Sequence, residues 1–580
     1  GNGFIWDDAQ HVTQSPATRS AEGLYDIWFK PGSVPQYYPL SHTLFWAEYQ
    51  WWQADSRPYH AVNLLLHAAC VLLVWQLLKR LAVPGAWLAA AIFAVHPVEV
   101  ETVAWVSEQK NLLSCALALA AILAYLRFSP ATNDTPAGRG AWSWYAVAFV
   151  LYAAALAAKT VSVSVPAVLL VIYWWKRGRV GWREVARLAP FFALGLAMAA
   201  VTVWMERTFI GATGPDWELS WTQRLLIAGR AVWFYLGKLL WPEPLIFFYP
   251  RWTVDVDVWW QYLFPGLALG LVVGLWLARK WIGRGPLAAV LIFGGVLVPA
   301  LGFFDVFPFR YSFVADHFQY HAGIALMALA AAGWAMAATR LPPEALWFGP
   351  TIAACVLVPL AIVAHDRTYA YENLTTLYED TIAQNPSSWV SLNNLGIILQ
   401  AAGKHREAVT QFRKALGLFP NDSKALYNCG ISLAALGDLR RAAEMMQKIL
   451  EIEPNSNMAQ HELGIILYNQ QHAEAAVAAL RKAVEMAPAQ AKWRVDLAVA
   501  LIKANDPQSA ERELRGVIAD DPQNADAHNF LGILLAQRDD LDGAISEFKA
   551  VLKIDSRHPT ALGSLQSTED ARQHKQPPAP

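Results

Sequence analysis

Charged side chains set beside apolar runs are expensive to hold, so they mark where chemistry could sit. Asp7 and Asp8 stand together in FIWDD. Adjacent carboxyls repel, so one is expected to have a raised pKa, and either could act as a general base. The pair also suits a solvated turn. A second group lies in HPVEVETVAWVSEQKN, residues 96–111, which carries His96, Glu99, Glu101, Glu108 and Lys110 between two short apolar runs. One His among carboxylates suits a divalent metal, but no ligand spacing here is specific. Whether a metal takes part, with Asp8 and Glu101 as its carboxylates, stays open. A third set is basic: Lys159, Arg230, Arg251 and Arg310. Such bases can bind a lipid phosphate or snorkel to the membrane surface. His60, Asn63 and His67 share one helical face, which fits hydrogen bonding between helices as well as a substrate site. Asp316-His317 opens an apolar run, where capping is the simpler role.

The elements that must hold these groups follow from composition. The chain has 580 residues, 55% hydrophobic and only 16% charged, with 27 Trp. Mean hydropathy is positive, at +0.25. Residues 1–365 carry 24 Lys and Arg against 20 Asp and Glu; residues 366–580 carry 22 against 27. The first part reads as membrane and the second as a soluble domain. Neither is basic enough for nucleic acid. The four cysteines suggest no disulfide framework.

Ten apolar stretches approach the ~20 residues of a bilayer span: 58–80, 86–105, 111–128, 142–158, 161–176, 188–205, 258–279, 286–304, 318–338 and 345–364. Five short loops, near 79–86, 127–141, 176–187, 279–286 and 339–344, hold 13 Lys and Arg against three acids. The rest of residues 1–365 holds 11 bases and 17 acids. The excess of bases makes the five loops cytoplasmic. Residues 1–57, the 96–110 loop, 206–257, 305–317 and everything after 365 are then extracytoplasmic. Residues 221–240 carry a polar stripe of Arg224, Arg230 and Lys238 and read as an interfacial or re-entrant helix.

A 34-residue period governs the second part. Pro386, Pro420, Pro454, Pro488 and Pro522 keep it, as do Gly396, Gly430, Gly464 and Gly532, with Ala498 in the fourth slot. Ala408, Ala442, Ala476, Ala510 and Ala544 fall in step. This is the tetratricopeptide (TPR) pattern, which stacks into an α-solenoid with a concave peptide-binding face. Five repeats cover 389–562, residues 366–388 form a connecting helix, and 563–580 read as a disordered tail.

Several segments together resemble a known family: FIWDD at 4–8, QYYPLSHTLFW at 36–46, YHAVNLLLH at 59–67, HPVEVETVAW at 96–105, AKTVSVSVP at 158–166 and FVADHFQY at 313–320. With the repeat array, the chain resembles bacterial relatives of the transmembrane and TPR-repeat O-mannosyltransferases, of the GT-C glycosyltransferase superfamily. The resemblance implies an all-α polytopic GT-C bundle over 1–365, a polyprenyl-phosphate sugar donor, an extracytoplasmic site and placement in a bacterial inner membrane. It implies an acidic residue of the first outer loop as base or metal ligand, here Asp7 or Asp8. It maps the HP…E element onto His96 and Glu101, and the Lys of AKT onto Lys159. The expected reaction is inverting transfer to a Ser or Thr hydroxyl of a protein held by the TPR face. Lys159, with Arg251 or Arg310, is expected to stabilise the leaving phosphate. The family opens with a transmembrane helix before DD, and none is visible here. Some relatives carry Arg-x-Asp after HP…E; Gln109-Lys110-Asn111 stands there instead. Two rivals remain, a GT-C enzyme acting on a lipid or glycan and a non-catalytic TPR scaffold.

Overall fold

A computed structural model of the chain describes residues 3–131, 141–342 and 347–575. Parts of two expected basic loops, 132–140 and 343–346, lie outside the described residues, as do 576–580. Among the described residues every regular element is helical, as the all-α class requires. The chain divides into two compact units, residues 1–391 and 392–580.

In the first unit, five helices are long and apolar enough to cross a membrane: Ser56–Arg80, Val106–Phe128, Trp182–Ile210, Trp259–Ile282 and Phe348–Tyr371. The remaining expected spans are shorter or broken. Ala86–Val95 and Pro97–Ala104 meet at 54°. Pro97 causes the bend, because it lacks an N–H and forces the residue before it out of helical geometry. His96 is accordingly extended, at φ −71 and ψ 129. The run expected at 161–176 is a 3-10 turn, Thr160–Ser164, followed by the helix Val165–Arg177. Trp142–Ala158, Gly285–Ala300 and Gly323–Ala338 are apolar but short. Residues Trp221–Leu240 form one helix opened by a Ser220–Gln223 capping box, with Arg224 paired to Asp305 at 2.6 Å.

Burial separates the centre from the rim. In Val106–Phe128, 67% of the apolar window is buried, against 6% in Trp259–Ile282 and in Phe348–Tyr371. The rim helices expose Leu267, Leu269, Leu277 and Ile362. In water such an apolar surface would be an aggregation liability, and in lipid it is solvated. Val106–Phe128 is therefore the axis that other helices pack around, and its first turn carries Glu108, Lys110 and Asn111.

The second unit stacks antiparallel helix pairs. A Cβ built on Gly396, Gly430, Gly464 or Gly532 would meet Phe412, Met446, Leu480 or Phe548 at 2.3 to 2.7 Å. The period thus marks a close approach that leaves no room for a side chain. The five in-step alanines are fully buried at the same crossings. Asp438, Asp506 and Asp540, in the same 34-residue register, cap second helices by accepting N–H bonds from Arg441, Ser509 and Gly543. Substituting Gly464 by Val should lower unfolding stability by about 2–3 kcal/mol through overpacking, read by chemical denaturation.

The tail departs from expectation. Residues Ala561–Lys575 form a helix rather than a disordered segment. Ala561 is fully buried and Leu565 packs on the core of the last repeats. A terminal repeat otherwise exposes an apolar face, and this helix covers it.

Candidate functional site

The site begins with a local turn. Trp6 takes φ +44, a left-handed backbone conformation rare for a bulky residue. It is held there by edge contacts with Phe247, Phe248, Tyr311 and Tyr378, at 4.9 to 6.4 Å. The turn aims Asp7 and Asp8 differently. Asp8 is wholly buried. Its Oδ2 accepts the Ile5 N–H at 2.8 Å and its Oδ1 the Ser107 N–H at 2.6 Å. Asp7 keeps 24% of its side chain exposed. Its Oδ1 accepts from Ser107 Oγ at 2.7 Å and Trp105 Nε1 at 3.1 Å, and its Oδ2 lies 3.2 Å from His11 Nε2.

This asymmetry decides where the charge of the pair settles. Burial works against ionising Asp7, but His11, Lys110 and the Ser107 hydrogen bond outweigh it and hold the carboxyl at about 2. Burial, and then the charge on Asp7, push Asp8 well above the usual carboxylate range. The available anion is Asp7; Asp8 pins the N-terminal segment to the 105–107 loop. Substituting Asp8 by Ala leaves two buried N–H groups unpaired and should cost about 2–4 kcal/mol, read as a lower melting temperature in detergent.

The loop that pins Asp8 continues into a charged cluster. Glu108 Oε1 lies 3.1 Å from Lys110 Nζ, and its Oε2 lies 2.9 Å from Lys159 Nζ. Asn111 Nδ2 donates to Oε2 at 2.6 Å and to the His317 carbonyl at 3.0 Å. Lys159 sits where the helix ending at Ala158 gives way to the 3-10 turn, and Ser114 Oγ donates to its carbonyl at 3.1 Å. Lys110 also donates to Gln36 Oε1 at 3.2 Å. Two cations therefore share one carboxylate, and both feel the charge of Asp7.

His317 joins this cluster to a second one. Its Nδ1 is 2.5 Å from Glu101 Oε1, and its Nε2 is 4.0 Å from Glu108. Tyr371 donates to Glu101 Oε2 at 3.5 Å. Asp316 accepts from Tyr249 at 2.9 Å. Burial, followed by repulsion from Glu101, raises its carboxyl to about 8. Glu99 is buried without a hydrogen-bond partner, and His96 Nε2 bonds the Leu239 carbonyl at 3.1 Å.

Other predicted residues lie in different settings. Arg230 stacks on Trp252 at 4.4 Å. Arg251 and Arg310 converge on Asp216, at 3.3 and 3.5 Å. His67 bonds Tyr320 at 2.8 Å, and Asn63 donates to the Val103 and Trp105 carbonyls. Asn63 and His67 thus tie helices together; His60 lies half-buried in the first turn of the same helix. The carboxylates named for a metal are engaged apart, Asp8 with backbone N–H groups and Glu101 with His317. Among the described residues no group of three His, Cys, Asp or Glu could hold a metal ion. The donor set does not fit a metal centre.

Lys110 and Asn111 stand in the sequence without an assigned role, and His11, Ser107 and Gln36 are not singled out there. The usable signal for Lys110 was its place two residues from Glu108 at the start of an otherwise apolar helix.

The remainder of the wall is apolar. A cavity between the membrane helices is lined by Leu119, Ile122, Val168, Ile172 and Ile292, with Ser162, Ser164 and His321 as its polar residues. Ser162 Oγ lies 2.7 Å from Ser114 Oγ, whose own bond reaches the Lys159 carbonyl.

Comparison with known proteins adds the following. Residues 390–455 match the tetratricopeptide repeat model, and 450–559 match that of the cytochrome c-type biogenesis protein H TPR domain. The protein O-mannosyl-transferase F38B6.6 of Caenorhabditis elegans is 28% identical over 141 residues, which is 22% of this chain and 20% of that protein. The protein O-mannosyl-transferase Tmtc1 of Drosophila melanogaster is 33% identical over 137 residues, covering 22% and 16%. Protein O-mannosyl-transferase tmtc2 of Xenopus laevis is 25% identical over 284 residues, covering 44% and 33%. The chain thus spans a third or less of the length of these relatives. Among solved structures, YrrB, a TPR protein with an unusual peptide-binding site, matches at 21% identity and TM-score 0.29, over 33% of this chain and 97% of that one. Over these matched stretches the chain is similar to proteins named protein O-mannosyl-transferases, and its second unit matches tetratricopeptide repeat models.

Proposed function

We propose that the protein is an integral membrane glycosyltransferase that moves a monosaccharide from a polyprenyl-phosphate donor to Ser or Thr hydroxyls of a protein acceptor. The observation that carries this is the juxtaposition of an anionic Asp7 with two lysines that share Glu108, next to an apolar cavity. Such a cavity suits an isoprenoid chain, and the two lysines suit its phosphate.

The acceptor hydroxyl donates to Asp7 and attacks the anomeric carbon. The new C–O bond forms as the bond from that carbon to the phosphate oxygen breaks, its electron pair leaving with the phosphate. Charge on the sugar is oxocarbenium-like at the transition state. The hydroxyl becomes acidic only as its oxygen bonds to carbon, so a weak base suffices, and the proton ends on Asp7. Attack from the face opposite the phosphate inverts the anomeric centre. The leaving phosphate gains negative charge as it departs, and Lys110 and Lys159 stabilise it. Charge already in place in a dry site is worth several kcal/mol.

The TPR unit holds the acceptor and raises its effective concentration at the membrane. The charge bias of the loops supports an extracytoplasmic site in a bacterial inner membrane. The test is transfer by the purified full chain from a panel of polyprenyl-phosphate sugars to Ser/Thr peptides. Glycopeptide formation with at least one donor is expected. Transfer to lipid or glycan acceptors alone, or none at all, overturns the proposal.

Because Asp7 is depressed to about 2, it stays ionised through the mildly acidic range. The stability it contributes is complete above its unfolded value near 3.8 and is lost as pH falls toward 2. The pH–rate profile should therefore show no acid limb from the base above about pH 4.

A further inference from the structure

The outer segment that carries Asp7 also forms one side of a cleft of about 370 Å³. Gln10 and Gln14 stand on this side, on and just after the π-helical turn Ala9–Thr13. The opposite side is the loop 32–35, and Phe209 closes the end from a second π-helical turn, Glu206–Ile210. Single π-helical turns are rare and recur at functional sites; two of them border this cleft.

The cleft is built and polar. Gly32 has φ +84, and a Cβ there would come within 2.5 Å of the Phe209 ring. Only glycine lets the loop seat against that ring. Gln10 and Gln14 are both exposed. Among the described residues no charged one lines the cleft.

Both walls continue into the reacting groups. The Gln10 N–H donates to the Asp7 carbonyl at 2.9 Å. The opposite loop leads directly to Gln36, which accepts from Lys110 at 3.2 Å.

We infer that this cleft binds an extended, uncharged segment of the acceptor polypeptide beside the reacting Ser or Thr. A glutamine amide offers a donor and an acceptor together, matching the N–H and C=O of an extended backbone. Phe209, Pro16 and Pro35 supply apolar surface for small side chains. With no charge lining the cleft, an Asp or Lys next to the reacting residue would lose its hydration without gaining a partner. The lining also lacks the carboxylates that commonly clasp pairs of sugar hydroxyls, which favours polypeptide over glycan. The assignment depends on the protein acceptor proposed above.

The experiment uses the full chain and peptides of Ser, Thr, Ala and Pro, alongside peptides with Asp or Lys flanking the acceptor residue. The double variant Gln10→Ala/Gln14→Ala should raise the KM for the neutral peptide about tenfold, as expected for two lost hydrogen bonds, while the donor KM moves less than about twofold. Charged flanks should raise the peptide KM of the unaltered protein about tenfold and that of Gly32→Ala less. An unchanged peptide KM in the double variant, with the unaltered protein still making glycopeptide, overturns the cleft assignment alone. A loss confined to oligosaccharide acceptors assigns the cleft to glycan and overturns it as well. No glycopeptide from the unaltered protein overturns the proposed function together with this inference.

Discussion

Asp7→Asn should abolish transfer, by about 10²–10⁴-fold in kcat, while the protein keeps its fold. The amide oxygen of Asn can still accept from Ser107 Oγ and Trp105 Nε1, which now bond Asp7 at 2.7 and 3.1 Å. What it cannot do is take a proton as the new glycosidic bond forms. The melting temperature should therefore fall only by what the Asp7 charge contributes beside His11, whereas Asp8→Ala should lower it further. The contrast separates the two adjacent carboxyls, one partly exposed and charged, the other buried and bound on both oxygens by backbone. Retained transfer in Asp7→Asn would remove it as the base.

Lys159→Met carries the second large effect. The leaving phosphate bears more negative charge at the transition state than in the bound donor. A cation that answers this change acts on kcat more than on donor binding. The expected loss is about 10²–10³-fold in kcat, with a smaller rise in donor KM. The variant should fold, because Glu108 keeps Lys110 at 3.1 Å and Asn111 at 2.6 Å. Lys110→Met should behave alike, since Lys159 then remains on Glu108 at 2.9 Å. A change in KM alone would mean that the lysines bind donor without stabilising the departing phosphate.

Much of the fold was legible in the residues because the causes are local. The repeat register can be read because Gly396, Gly430, Gly464 and Gly532 each sit where a Cβ would strike the partner helix. The break at His96 follows from Pro97. The short runs near 161–176 and 286–304 were harder, because apolar content does not say where a helix stops. Thr160–Ser164 and Val298–Ala300 tighten into 3-10 turns. The final helix Ala561–Lys575 was missed because its sequence is polar; the buried Ala561 and Thr568, the half-buried Leu565 and ion pairs such as Arg572–Asp542 tie it to the array.

The site was legible by segment but not by role. FIWDD and the 96–111 stretch do carry its groups. Adjacency cannot distinguish Asp7 from Asp8; the 105–107 loop does, by giving one a backbone N–H and the other a hydroxyl and an indole. Arg251 and Arg310 turn to Asp216, and Arg230 to Trp252. The partner of Lys159 is Lys110, 49 residues earlier, and what joins them is Glu108. That convergence is a product of helix packing and leaves no mark in local spacing.

The central claim is that an Asp7-dependent reaction links a polyprenyl-phosphate sugar to a Ser or Thr hydroxyl. The most direct measurement is glycopeptide formation, by mass spectrometry, with purified full chain, a polyprenyl-phosphate monosaccharide panel and a Ser/Thr peptide, run in parallel with Asp7→Asn. The expected result is a sugar-bearing peptide with the unaltered protein and none with the variant at equal folded concentration. Equal product from both, or sugar transferred only to lipid, would contradict it.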